Sequence, residues 1–176
     1  HVAASAIAMD KSMTKLVADR AGVRQAGWEL VTDAAFAHHP EELLDRLEAH
    51  FAYPVFVKPA GTGPSVGVSK AKDRAALQAA LVEALRFDRK VLVEEFIDGH
   101  EVEVAVLGND TPVASVCGEI DAGAEFYSYD AKYLSEQSRT LIPARISDEA
   151  AEQVRETAVR VYQAIGCQGL SRVDFF

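Results

Sequence analysis

Residues 55–70, VFVKPAGTGPSVGVSK, constrain this chain more than any other stretch. Three β-formers (Val55, Phe56, Val57) deliver Lys58. Gly61, Gly63 and Gly67 then gather around Ser65 and Val66, and a second apolar step runs to Val68. Glycines at that density let backbone N–H groups turn inward and approach an anion that side chains would otherwise hold off. A lysine at the end of the preceding strand adds a point charge to the same anion. The pattern predicts strand, phosphate-covering loop, strand, with Gly63 expected to need torsional freedom that a β-branched residue lacks. It does not fit a P-loop: no Gly-Lys-Ser/Thr closes the run, and the next segment alternates like a strand instead of opening a helix. A tight hairpin without a ligand is the competing explanation of the same residues.

The anion must be held locally, because the whole chain is acidic. Its net charge of −9 over 176 residues argues against a general nucleic-acid surface, which needs a clustered positive excess. A hydrophobic content of 49% and a charged content of 26% are those of a globular protein with a core of real size, in one domain or two small lobes. No apolar run approaches the ~20 residues of a membrane span, and no signal-peptide pattern opens the chain. Cys117 and Cys167 lie in different expected elements and read as two thiols in a reducing cytosol, not as a disulfide.

Around the loop the chain punctuates itself clearly. Residues 10–21 have helical spacing (Met13, Leu16, Val17) with a stop at Gly22, and 28–31 form a short strand. Residues 40–51 make an amphipathic helix with Pro40 in its first turn. Asp73 caps a helix that carries Leu77, Leu81, Ala84 and Leu85 on one stripe, and 91–96 form a strand. The character changes at Asp98-Gly99. Residues 101–107 alternate charged and apolar side chains, Asn109-Asp110 turns the chain, and 112–120 run back as one strand. Residues 121–138 show no period and predict a loop long enough to be functional or disordered. A short strand at 139–142 precedes a helix capped by Ser147 and stopped by Gly166, with Val154, Ala158, Val161, Tyr162 and Ile165 inward. His38, His39 and His100 are expected to face solvent, and no Ser-His-Asp or Cys-His set is suggested by spacing.

The ends point to a piece of a longer protein. The chain opens at His1 without a methionine, and 170–176 (LSRVDFF) read as a strand that stops without a turn. That strand carries Arg172 and Asp174 on one face and Val173 and Phe175 on the other. Taken alone, the Arg172/Asp174 pair could be an ion pair of little energetic value.

Taken in order, AMDK (8–11), VKPAGTGPSVGVSK (57–70), LVEEFIDGHEVEVAVLG (92–108), FYSYDAKY (126–133) and SRVDFF (171–176) resemble the D-alanine–D-alanine ligases of the ATP-grasp superfamily over essentially the whole chain. FYSYDAKY is the most specific of these elements; the lysine-bearing loop and the LVEEFIDGHE segment are typical of ATP-grasp enzymes broadly. The resemblance implies an α+β fold in two lobes, residues 1–97 with the hinge strand and 98–176, whose antiparallel sheets with flanking helices grip ATP between them. It also implies a cytoplasmic ligase using ATP and Mg²⁺ (or Mn²⁺) on D-alanine for peptidoglycan precursor synthesis. Nucleic-acid and membrane partners are not implied, and the full-length protein is expected to be a homodimer.

Site residues follow from the matching motifs. In the family, lysines matching Lys11 and Lys58 contact the ATP phosphates, under the loop of Gly61, Gly63, Ser65, Val66 and Gly67. Glu94, Glu95, Phe96 and Ile97 would form the hinge that hydrogen-bonds the adenine edge, and Glu101 would hold the ribose hydroxyls. Lys132 would sit on the transferring phosphoryl group, Tyr133 in the substrate pocket, and Ser65 beside them. Arg172 would stabilise the oxyanion of the tetrahedral intermediate and Asp174 would be a magnesium ligand. The residue types suit these roles, since a carboxylate matches a vicinal diol, a planar guanidinium an oxyanion, and an oxygen donor Mg²⁺.

The chain departs from the family pattern in three places. Pro64 stands where the family has the first of two serines, and proline offers neither an N–H nor a hydroxyl in its place. The domain that precedes this region in the family, and the Glu-x-Asn segment that follows it, lie outside the chain. A D-alanine–D-serine or other carboxylate–amine ligase, and a nucleotide-binding module without catalysis, are therefore the alternatives to a D-alanine–D-alanine ligase.

Overall fold

A computed structural model of the protein describes residues 2–63, 66–121 and 139–176. Two compact units emerge. One comprises residues 9–12 and 26–97, the other residues 2–8, 13–25, 98–121 and 139–176. These units differ from the expected division into 1–97 and 98–176. Helices α1 (Val2–Met9) and α2 (Lys11–Arg20) lend Ala4, Ile7 and Val17 to an apolar cluster with Val161 and Ile165 of the second unit. Only the junction between the two helices, residues 9–12, belongs to the first.

The first unit is built on period-two burial. In β2 (Val55–Pro59) Val55 and Val57 are buried while Phe56 and Lys58 turn to the other face. β1 (Trp28–Thr32), β3 (Ser69–Ala71) and β4 (Lys90–Glu95) complete an antiparallel sheet of order β1-β4-β2-β3. Helix α3 (Asp33–His38) opens on Thr32, whose side chain accepts from the Ala35 N–H at 3.2 Å. Helix α4 (Pro40–His50) buries Leu43, Leu44 and Leu47, and α5 (Arg74–Ala84), capped by Asp73, buries Leu77 and Leu81. These leucines meet Val31, Val55, Val57, Val91 and Val93 in one core, each contributing roughly 1.5–3 kcal/mol of burial. With that face closed, the opposite face carries Trp28, Phe56, Lys58, Lys70 and Glu94 in register.

The second unit centres on β5 (Glu101–Gly108), whose Val102, Val104 and Val106 point to its core. β9 (Gly169–Phe175) pairs with one edge of β5 over seven residues, and β6 (Val113–Ala114) and β7 (Gly118–Asp121) with the other; β8 (Arg139–Leu141) pairs with β7. All of these pairings are antiparallel. The single return strand expected over 112–120 is broken at Ser115. Its hydroxyl accepts from the Ala105 N–H at 3.1 Å, taking the place of a main-chain partner and splitting the run in two. Helix α6 (Asp148–Ile165) lays Ala158, Val161, Tyr162 and Ile165 inward and ends on Gly166 in the left-handed region, at φ 74°. Cys117 and Cys167 are both free thiols. Among the described residues no helix is long and apolar enough to cross a membrane.

Candidate active site

Lys11 begins α2 beside the base of the glycine loop. Its N–H donates to the Ala60 carbonyl at 2.9 Å, and its ammonium donates to the carbonyls of Pro59 and Thr62 at 2.9 and 2.8 Å. The lysine expected at the phosphates is thus also a strut that shapes the loop from beneath. Burial and the neighbouring Lys58 charge hold its pKa below the ordinary 10.5, against the opposing pull of Glu94, Asp88 and Asp10. Lys58 leaves β2 on the open face and pairs with the buried Glu94 at 2.6 Å. Two ammonium groups therefore sit together where the loop starts, the arrangement an anion requires.

Within the loop, Gly67 and not Gly63 needs the freedom of glycine. Gly67 has φ +69°, and a Cβ there would meet Phe87 and Pro59 at 2.7 and 2.8 Å. Gly63 has no such backbone angle, and a Cβ there would stand in open space. Gly61 is tied by its N–H to Asp88 at 2.6 Å, and the Thr62 hydroxyl bonds the Val66 carbonyl at 3.0 Å. Ser65, Lys132 and Tyr133, with Pro64 and the FYSYDAKY segment, lie outside the described residues.

At the end of β4 the four expected hinge residues divide. Glu94 and Glu95 belong to the strand, with side chains on opposite faces. Glu94 meets Lys58, whereas Glu95 is tied to Gly27 twice, its carboxylate accepting the Gly27 N–H at 2.6 Å and its own N–H donating to the Gly27 carbonyl at 3.0 Å. Phe96 and Ile97 follow the strand. The Phe96 ring lies 6.1 Å from that of Phe56 and under the Lys70 ammonium, 3.9 Å from the ring centroid. No sequence signal marks Lys70; its pairing with Phe56 across β2 and β3 is what places it on the Lys58 face.

In the second unit, one face of the sheet gathers Glu101 and Glu103 of β5 with Arg172 and Asp174 of β9. Glu103 stands opposite Asp174, and Ala105 opposite Arg172. The guanidinium holds Asp174 through two bonds of 2.8 and 3.0 Å and reaches Glu103 at 3.2 Å. The fork is half-exposed, so its value to stability is small. Among the described residues no three His, Cys, Asp or Glu side chains form a metal cluster. Asp174 and Glu103 are nonetheless hard oxygen donors side by side, a set that suits Mg²⁺. On the buried side of β7, Glu119 accepts from the Arg145 main chain and guanidinium, at 2.8 and 2.7 Å, and lies 2.8 Å from His100 Nδ1. His100 is exposed, as expected, and its ring also engages Glu119.

Comparison with known proteins places this geometry. Residues 17–176 match the family described as D-ala D-ala ligase C-terminus. The D-alanine–D-alanine ligase of Acetivibrio thermocellus is 52% identical over 99% of this chain and 46% of its own length. That of Chlorobium limicola is 50% identical over 99% and 48%. Among solved structures, the VanG D-Ala:D-Ser ligase from Enterococcus faecalis superposes with a TM-score of 0.87 at 36% identity, covering 99% of this chain and 50% of that one. The D-alanine-D-alanine ligase from Coxiella burnetii gives 0.83 at 30% identity, covering 100% and 45%. The chain spans about half the length of the curated relatives it matches. With its antiparallel sheets, flanking helices and ATP-grasp neighbours, the chain belongs to the D-alanine–D-alanine ligase family, as its C-terminal part.

Proposed function

We propose that the protein to which this chain belongs joins two D-alanines at the expense of ATP, supplying a peptidoglycan precursor in the cytoplasm. The observation that carries this reading, in a chain of this family, is the presence of two charged sites, each on its own unit. One is a lysine-flanked glycine loop, the other a guanidinium between two carboxylates. In the first, Lys11 and Lys58 hold the ATP phosphates, the loop covers them, and the main chain of Phe96 and Ile97, just past β4, receives the adenine. In the second, Glu101 holds the ribose hydroxyls.

The carboxylate of the first D-alanine attacks the γ-phosphorus, giving an acyl phosphate and ADP. The amine of the second then adds to the acyl carbon and phosphate leaves. Negative charge spreads over oxygens in both steps, so fixed cations are the main catalytic tools. Arg172 receives the oxyanion, and its fork to Asp174 and Glu103 keeps it aimed. Asp174 and Glu103 would hold Mg²⁺, which neutralises phosphoryl oxygens when bound. Lys132 and Tyr133 act on the phosphoryl group and in the substrate pocket.

The test is dipeptide formation by the full-length protein, read by mass spectrometry with ATP, Mg²⁺ and D-alanine, alone or with D-serine. D-alanyl-D-alanine with stoichiometric ADP is expected. ATP hydrolysis without dipeptide, or preferential D-alanyl-D-serine, would refute the D-alanine assignment; no ATP turnover with any amino acid would refute the ligase.

A further inference from the structure

Asp88, in the segment between α5 and β4, uses both carboxylate oxygens on main-chain N–H groups. Oδ1 accepts from Lys90 at 3.1 Å and Oδ2 from Gly61 at 2.6 Å. The first bond closes a turn at the start of β4. The second reaches 27 residues back to the first glycine of the loop. The same corner is tied twice more: the Ala60 N–H donates to the Lys90 carbonyl at 2.9 Å, and the Lys90 ammonium pairs with Asp10. Asp10 in turn precedes Lys11, which holds the Pro59 and Thr62 carbonyls. Carbonyls of the loop base are thus drawn toward a lysine, and its first amide toward a carboxylate.

We propose that Asp88 is a positioning residue for the phosphate loop: by holding the Gly61 N–H it fixes how the loop leaves β2, and with it where the Thr62 and Gly63 amides stand toward the nucleotide phosphates. The inference rests on the ATP-binding reading above. The Ala60–Gly61 peptide is held at both ends, its carbonyl by the Lys11 main-chain N–H and its N–H by Asp88, and the Lys11 ammonium holds the Thr62 carbonyl two residues further along. An isosteric amide cannot do the same. Asparagine has one acceptor oxygen for two N–H groups, and its NH₂ would face one of them.

Gly61 offers an independent perturbation of the same bond. A Cβ there would stand 2.9 Å from Asp88 Oδ2, so Gly61→Ala displaces the end of a flexible carboxylate and leaves the core untouched.

The experiment compares the wild-type chain with Asp88→Asn, Gly61→Ala and the double variant. Affinities for ATP and for adenosine are measured by calorimetry, and amide exchange is followed at Gly61 and at Val91 to Val93. Each single variant is expected to weaken ATP about tenfold, the effect of one charge-assisted hydrogen bond put out of place. Adenosine affinity should stay within about twofold, and the double variant should be no worse than either single one. Exchange should quicken at Gly61 and not in β4. Equal loss of ATP and adenosine, additive variants, unchanged exchange at Gly61, or wild-type ATP affinity in Asp88→Asn would each overturn the positioning role. A wild-type chain that binds adenosine and ATP equally well would instead refute the phosphate-loop reading, and the proposal with it.

Discussion

Replacing Glu119 by glutamine removes a charge from the second unit while keeping its shape. The carboxylate is almost fully buried, at 3% exposure. Hydrogen bonds from Arg145, then from His100, pull its pKa from 4.5 down to about 2 against the opposing effect of burial. A shift of that size corresponds to roughly 3 kcal/mol at about 1.4 kcal/mol per unit. Arg145 and His100 are 58% and 54% exposed, so solvent screening lowers the expected loss in Glu119→Gln to about 1–2 kcal/mol at pH 7. The sign follows from linkage. A carboxylate whose folded pKa is depressed contributes fully above 4.5 and loses its contribution as pH falls through about 2. Urea unfolding of both proteins at a series of pH values should show the wild type ahead at pH 7, with more than half of the gap gone near pH 3. Equal stabilities at pH 7, or a gap that does not narrow on acidification, would show that the ionised cluster does not hold β7 to the 142–147 segment.

The glycines of the loop should separate by mechanism. Gly63→Val, in open space, should keep wild-type thermal stability and weaken ATP binding in calorimetry. Gly67→Ala, strained at φ +69° and crowded by Phe87 and Pro59, should lower the melting temperature, by about 1–3 kcal/mol of stability. Because burial and Lys58 depress the Lys11 pKa, ATP affinity should fall with rising pH before 10.5 is reached. Lys11→Arg, which stays charged, should remove that alkaline fall. In the full-length protein Arg172→Ala should cut kcat for dipeptide formation by about 10²–10³ and leave ATP binding within a few-fold. Asp174→Ala should also change the magnesium dependence.

The elements with the strongest local signals were legible in advance. Asp73 and Ser147 each offer a side-chain oxygen to an N–H three residues on, and Gly166 stops α6 in the conformation glycine tolerates best. Alternation marked β5 and β9, whereas β2 and β4 showed as short runs of β-formers, β4 being covered on both faces. Short elements were not legible: α3 has six residues, too few for a period to show, and the split of 112–120 depends on one hydroxyl replacing one main-chain partner. Residues at a candidate site could be singled out by type and motif, as Lys11, Lys58, Glu94, Arg172 and Asp174 were, and Glu103 was weighed only as a strand charge.

What the sequence determined by itself is therefore the local part: caps, turns, alternation, and motifs specific enough to indicate the family. What tertiary structure decided is every relation that depends on distance through space. Register set Glu103 opposite Asp174 and Phe56 opposite Lys70, and packing took α1 and most of α2 away from the lobe they adjoin in sequence. Asp88 shows why. Its one sequence-local bond, to the N–H two residues on, is what any aspartate in a turn makes, whereas its bond to Gly61 exists only because β2 and β4 lie side by side in the folded sheet.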